Sequence, residues 1–118
     1  MFFSPCNLNV QIIDYNMHLF KDKFGRTIRL TDERLQHIIV DHPEMLKPTD
    51  KIEETLTFPS IVIKSEDDPY VWLYYRPYKY SNLKSFLLVI IKISNGEGFV
   101  ITAFYVKNLH KGEIVWKA

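Results

Sequence analysis

The pattern of apolar and polar positions changes character twice along the chain. "HLFKDKFGRTIRL", residues 18–30, alternates on either side of the polar stretch Asp22–Gly25, which predicts two short strands around a turn. The period then lengthens: Leu35, Ile38, Ile39 and His42 follow the i, i+3, i+4, i+7 spacing of an amphipathic helix with one face on a core. Thr31 is a natural N-cap, and Asp32 and Glu33 suit a positive helix end. Pro43 disfavours helical backbone at His42, so the spacing predicts a helix over 32–41. A second short helix is expected from Thr49 or Asp50 to about Phe58, stopped by Pro59.

Beyond Pro59 the pattern turns extended. "SIVIKS" (60–65), "YVWLYYRPY" (70–78), "SFLLVIIKIS" (85–94), "GFVITAFYVKN" (98–108) and "EIVWK" (113–117) are rich in β-branched and aromatic residues, and turn residues separate them. Connections this short imply antiparallel neighbours, hence a meander. "FLLVII" (86–91) does not alternate, so both its faces are expected to be buried and its strand to be central. In the strand at 98–108, strict alternation puts Val100, Thr102, Phe104 and Val106 on one face and Phe99, Ile101, Ala103 and Tyr105 on the other. The expected fold class is α+β: two N-terminal helices packed on an antiparallel meander sheet of four to five strands, preceded by a short β-hairpin. Residues 1–20 read as an N-terminal extension, possibly a strand, and residues 21–118 as the domain proper.

A chain of 118 residues suits one domain with an ordinary core. Cys6 is the sole cysteine, which rules out an internal disulfide and favours a reducing compartment. The opening "MFFSPCNLNV" has no basic leader, and "FLLVII", the longest apolar run, is far too short to cross a bilayer. The expectation is a cytoplasmic protein with no membrane association. Net charge is +1, lower than a dedicated duplex-binding protein usually carries. Local positive patches nevertheless occur: Lys21, Lys23, Arg26 and Arg29 stand against Asp22, and "RPYKYSNLK" carries Arg76, Lys79 and Lys84 with no acid.

The chemistry-bearing stretch is "HIIVDHPE", residues 37–44. A metal pair on a helix needs i, i+4 spacing; the five-residue spacing of His37 and His42 turns the second ring about 140° away. No cysteine pair completes a site, so no metal and no cofactor are expected. The plainer readings are that His42 caps the helix C-terminus and that His37 is a solvated surface residue. Tyr75, Thr102 and Tyr105 are ordinary strand residues on the same plain reading, and Arg76 is a charge protecting a sheet edge.

"RLTDERLQHIIVDHPEM", "WLYYR", "FLLVIIKI" and "GFVITAFYVKNLHKGEIVWK", in that order, resemble the barnase–EndoU–colicin–RelE-like nuclease superfamily, in particular its phage- and cyanobacteria-associated branch. The resemblance spans about residues 24–117. It implies a RelE/barnase-like domain and a metal-independent endoribonuclease, a toxin or effector that cleaves RNA by attack of the 2′-hydroxyl on the adjacent phosphate. It implies tRNA or mRNA as substrate and a cognate antitoxin or immunity protein as partner. Many RelE-like toxins are strongly basic and this chain is not. The alternative is an inactive member of the same fold that binds RNA or protein.

Such chemistry needs a base for the 2′-hydroxyl proton, a cation for the crowded phosphate and an acid for the leaving 5′-oxygen. A histidine fits either proton-transfer role and an arginine fits the phosphate. His37, Arg76, Thr102, His42 and Tyr75 are therefore the catalytic candidates. Tyr105, Lys84, Tyr78 and Lys111 are the substrate-binding candidates, and Tyr78 and Tyr80, interleaved with Arg76, Lys79 and Lys84, offer surfaces on which unpaired bases stack. The central expectation is that His37, Arg76 and Thr102 meet around an open hollow.

Overall fold

Met17–Lys21 (β1) and Thr27–Thr31 (β2) form an antiparallel hairpin. The computed structural model describes residues 17–80 and 83–118, with the backbone alone at Lys79, Tyr80, Leu83 and Lys84. Most of the expected extension, residues 1–16, lies outside the described residues, and Met17–Phe20 belong to β1.

Thr31 caps the next element as expected. Its Oγ1 accepts the Arg34 N–H at 3.1 Å and opens α1, Asp32–Asp41. The helix ends at His42, whose N–H donates to the Ile38 carbonyl. Helix α2, Pro48–Thr57, starts slightly earlier than expected because proline is well tolerated in a first turn. It ends at Phe58, ahead of Pro59. Among the described residues no helix is long and apolar enough to cross a membrane.

Five strands follow: β3 (Ile61–Ser65), β4 (Val71–Tyr80), β5 (Leu83–Ser94), β6 (Glu97–Val106) and β7 (Gly112–Lys117). β3 to β6 form the antiparallel meander. Asn95 (φ 55°) and Gly96 (φ 78°) make the β5–β6 turn, both left-handed as a tight hairpin with right-handed strand twist requires. β5 is central, with Leu87, Leu88, Val89 and Ile91 fully buried across its two faces.

The expected architecture of two N-terminal helices on a four- to five-stranded antiparallel sheet is overturned. One mixed seven-stranded sheet has the order β1-β2-β6-β5-β4-β3-β7, and the two helices are inserted between β2 and β3. Two long-range pairings cause the difference. β2 runs parallel to β6 through Ile28–Gly98 and Arg29–Phe99, which brings the hairpin into the sheet. β7 pairs not with β6 but with β3, at the far edge. The sequence is expected to turn at 109–112 after a strand reaching 108, yet β6 ends at Val106 and residues 107–111 carry the chain over the helix-free face, where His110 bonds Tyr75. Gly112 then sits so close to β3 that a Cβ would lie 2.3 Å from the Lys64 carbonyl oxygen.

Helices α1 and α2 cover one face, with Leu35, Ile38, Ile52 and Leu56 against Val62, Tyr74, Leu87, Val89, Ile91, Val100 and Ala103. Ile39, expected on the core stripe, lies at its margin and is 38% exposed. The hairpin is pinned to the same face by Asp22, which is almost fully buried. Its Oδ1 accepts the Phe24 and Arg26 N–H groups, and its Oδ2 accepts Arg26 Nε at 3.0 Å and the Tyr74 hydroxyl at 2.5 Å. Arg26 in turn stacks 4.2 Å above the Trp72 ring.

The Thr55 hydroxyl on α2 is buried with no partner among the described residues. Thr55→Val keeps the shape and a similar helix propensity while removing an unpaired polar atom. The expected result is a higher urea midpoint, worth about 1 kcal/mol of added stability. A lowered midpoint would show that the hydroxyl contributes.

Candidate functional site

β3 pairs with β4 only from Trp72 to Tyr75, so Arg76 and Tyr78 extend past that pairing beside the C-terminal end of α2. They alternate with Tyr75 and Pro77 and share the helix-covered face with Tyr74. Across the sheet Arg76 aligns with Leu87 and Leu87 with Tyr105, which sets Tyr105 on this face as well.

Glu54, on the exposed side of α2, links these residues. Its Oε1 accepts a short hydrogen bond from the Tyr78 hydroxyl, and its Oε2 lies 3.6 Å from Arg76 Nη2. Arg76 Nη1 also donates to the Phe58 carbonyl at 2.6 Å, so a cation closes the negative end of α2. One turn before Glu54, Lys51 donates to the Tyr105 hydroxyl at 3.2 Å. Its ammonium stands 5.9 Å and 6.0 Å from the Tyr78 and Tyr105 ring centres, and the two rings meet edge to face. Burial, and then the hydrogen bond and charge of Glu54, push the Tyr78 phenol up to about 12, so it stays protonated and donating at neutral pH. A groove of about 520 Å³ runs along α2 past Lys51 and Glu54 to Phe58. Lys51 and Glu54 line this groove, and Arg76, Tyr78 and Tyr105 reach them from the sheet beneath the helix.

Of the residues expected from the sequence, the fold brings Arg76, Tyr78 and Tyr105 together. The others go elsewhere. His37 is exposed on α1. His42 is the α1 C-cap, stacked on Phe104 at 5.2 Å with Nδ1 3.5 Å from Glu44 Oε2. Thr102 pairs with Ile90 on the helix-free face, opposite Arg76. Strict alternation misassigned Val100 because the β5–β6 register shifts between Ile90 and Ile91. The extra residue, Ile101, leaves Val100 on the helix face and Thr102 on the other.

Tyr75 is fully buried on the helix-free side, where its hydroxyl accepts the His110 N–H at 2.9 Å and meets His110 Nδ1 at 2.9 Å. Lys111 lines a separate groove on that side, with His110 and Asp67. The Lys84 side chain lies outside the described residues. The expected meeting of His37, Arg76 and Thr102 therefore does not occur, since Arg76 and Thr102 stand on opposite sides of the sheet.

Reading the sequence missed Glu54 and Lys51. Their only local signal is position: both border the buried stripe of Ile52, Thr55 and Leu56, three apart on one helix edge. Among the described residues no group of three or more His, Cys, Asp and Glu side chains converges as a metal site would need.

The chain matches no protein-family model, no curated protein and no solved structure.

Proposed function

We propose that the protein is an endoribonuclease, toxin- or effector-like, that cleaves RNA through Glu54, Arg76, Lys51, Tyr78 and Tyr105 rather than through its histidines. The observation that carries this reading is the Glu54 carboxylate held between an arginine and a phenol at the edge of an open groove. The resemblance of the motifs around Arg76 and Tyr105 to the barnase- and RelE-like nucleases supports the same class of reaction.

Glu54 removes the proton from the ribose 2′-hydroxyl. The 2′-oxygen then bonds to the adjacent phosphorus, and the bond to the 5′-oxygen breaks. A carboxylate oxygen has lone pairs to spare, so Glu54 can accept the 2′-hydroxyl while keeping its bonds to Tyr78 and Arg76. Arg76 uses three of its five N–H groups at most on Glu54 and Phe58 and offers the rest to the non-bridging phosphate oxygens. Lys51, backed by Tyr105, protonates the leaving 5′-oxygen. The products are a 2′,3′-cyclic phosphate and a free 5′-hydroxyl, with no metal in the cycle. A single-stranded stretch of tRNA or mRNA is the substrate we favour, the cytoplasm the setting, and an antitoxin or immunity protein the natural inhibitor.

The test is incubation of the purified protein with total RNA in EDTA, with product ends examined for cyclic phosphate. Arg76→Ala should lose about 10²-fold or more in rate, as removal of a single transition-state donor commonly does. His37→Ala should keep full activity. Loss of cleavage in His37→Ala with Arg76→Ala unaffected would overturn the assignment. Binding of RNA without cleavage would establish the inactive binding module instead.

A further inference from the structure

Phe58 is 64% exposed, and among the described residues no ring or cation stacks on it. Leaving a phenylalanine side chain in water forgoes the gain from burying its apolar surface. Its position is specific. Phe58 closes one end of the α2 groove, and its own carbonyl oxygen holds the Arg76 guanidinium at 2.6 Å. A phosphate on Arg76 would therefore lie beside the residue that carries this exposed ring.

The charges in the groove sharpen the point. Lys47 and Lys51 line it with Asp50, Glu53 and Glu54, and Arg76 stands beside Glu54 from β4, so the two lining cations and this third one balance three carboxylates. A trough this close to neutral gains little from counterion release and must hold a polyanion by other means. Base stacking is the sequence-tolerant alternative, because every base has a π-face.

We propose that Phe58 is a base-stacking subsite beside the reacting phosphate, which restricts the substrate to unpaired RNA. The proposal rests on the ribonuclease reading above and adds the substrate class to it. A base in a duplex is stacked on both faces and cannot present one to Phe58. Electrostatic contributions should be small: with two phosphates neutralised, at Arg76 and Lys51, log K should fall with log salt at a slope of about −1.4.

The probe is a short unstructured RNA with 2′-O-methyl riboses, which cannot attack, labelled for fluorescence anisotropy and titrated with the full chain. Phe58→Ala should bind it about 5- to 150-fold more weakly than wild type, the range typical of one lost stacked base. Phe58→Trp should bind at least as tightly as wild type, and a duplex of the same sequence should bind poorly. Circular dichroism should find both variants as folded as the parent. Should Phe58→Ala unfold, Phe58→Leu keeps the apolar bulk without the π-face and should show the same weakening. Unchanged affinity in a folded Phe58→Ala or Phe58→Leu variant, or equal binding of duplex and single strand, would overturn the subsite and leave the nuclease reading standing. Failure of the wild type to bind either RNA would sink both.

Discussion

On the proposed mechanism, Glu54→Gln is expected to lower the rate of RNA cleavage by about 10²- to 10⁴-fold, the usual contribution of a positioned general base. Glutamine keeps the length of the side chain and an acceptor oxygen for the Tyr78 hydroxyl, so the trough should keep its shape. Only the proton-accepting carboxylate is lost. Because the Arg76–Glu54 pair is largely solvated, with side chains 34% and 47% exposed, breaking it should cost no more than about 1 kcal/mol of stability. The kinetic signature is a fall in kcat with little change in KM. A wild-type rate in Glu54→Gln would remove the residue from the mechanism. A rate lost together with the melting transition would mean that the carboxylate is structural.

Asp22→Ala destabilises the fold by about 3–5 kcal/mol, the usual cost of removing one partner from a buried ion pair. For a domain of this size that is a fall in melting temperature of roughly 10–20 °C. The carboxylate accepts four hydrogen bonds, from two backbone amides of its own turn, from Arg26 Nε and from the Tyr74 hydroxyl. Without it Arg26 Nη2 still donates to the Tyr74 phenol oxygen at 3.0 Å, but Arg26 Nε and the Tyr74 hydroxyl proton lose their acceptor. Burial first, and then the bond to Asp22, hold the Tyr74 phenol far above its ordinary range, so it remains a donor. Asp22→Asn is only a partial rescue: one oxygen still receives the turn amides, but the amide NH₂ then faces Arg26 Nε and Tyr74. Tyr74→Phe should cost about 1–3 kcal/mol, because Asp22 keeps its other donors. Chemical denaturation of the single and double variants checks the coupling. Asp22→Ala melting with the wild type would show that the hairpin needs no pin.

Local signals were reliable wherever a few neighbouring residues decide the outcome. Thr31 as cap, the helix over 32–41, the Asn95–Gly96 turn and the meander from β3 to β6 all follow from spacing and turn chemistry. The sheet order did not. The parallel β2–β6 contact involves two residue pairs, and the β3–β7 pairing depends on residues 107–111 spanning the helix-free face. Both join segments distant in sequence, and no periodicity records such a pairing.

The candidate site divides in the same way. Arg76, Tyr78 and Tyr105 were visible as chemistry, and alternation already set Thr102 opposite Tyr105, but that Arg76 shares the Tyr105 face follows only from the pairing of both with Leu87. Glu54 and Lys51 went unnoticed in the sequence because their partners are 22 or more positions away. By itself the sequence determined the elements and the residue types available for chemistry, since caps, turns and periodicity act within a few residues. Tertiary structure alone decided which of those residues share a face. That depends on strand register, on a bulge and on the seating of α2, all of them products of long-range packing.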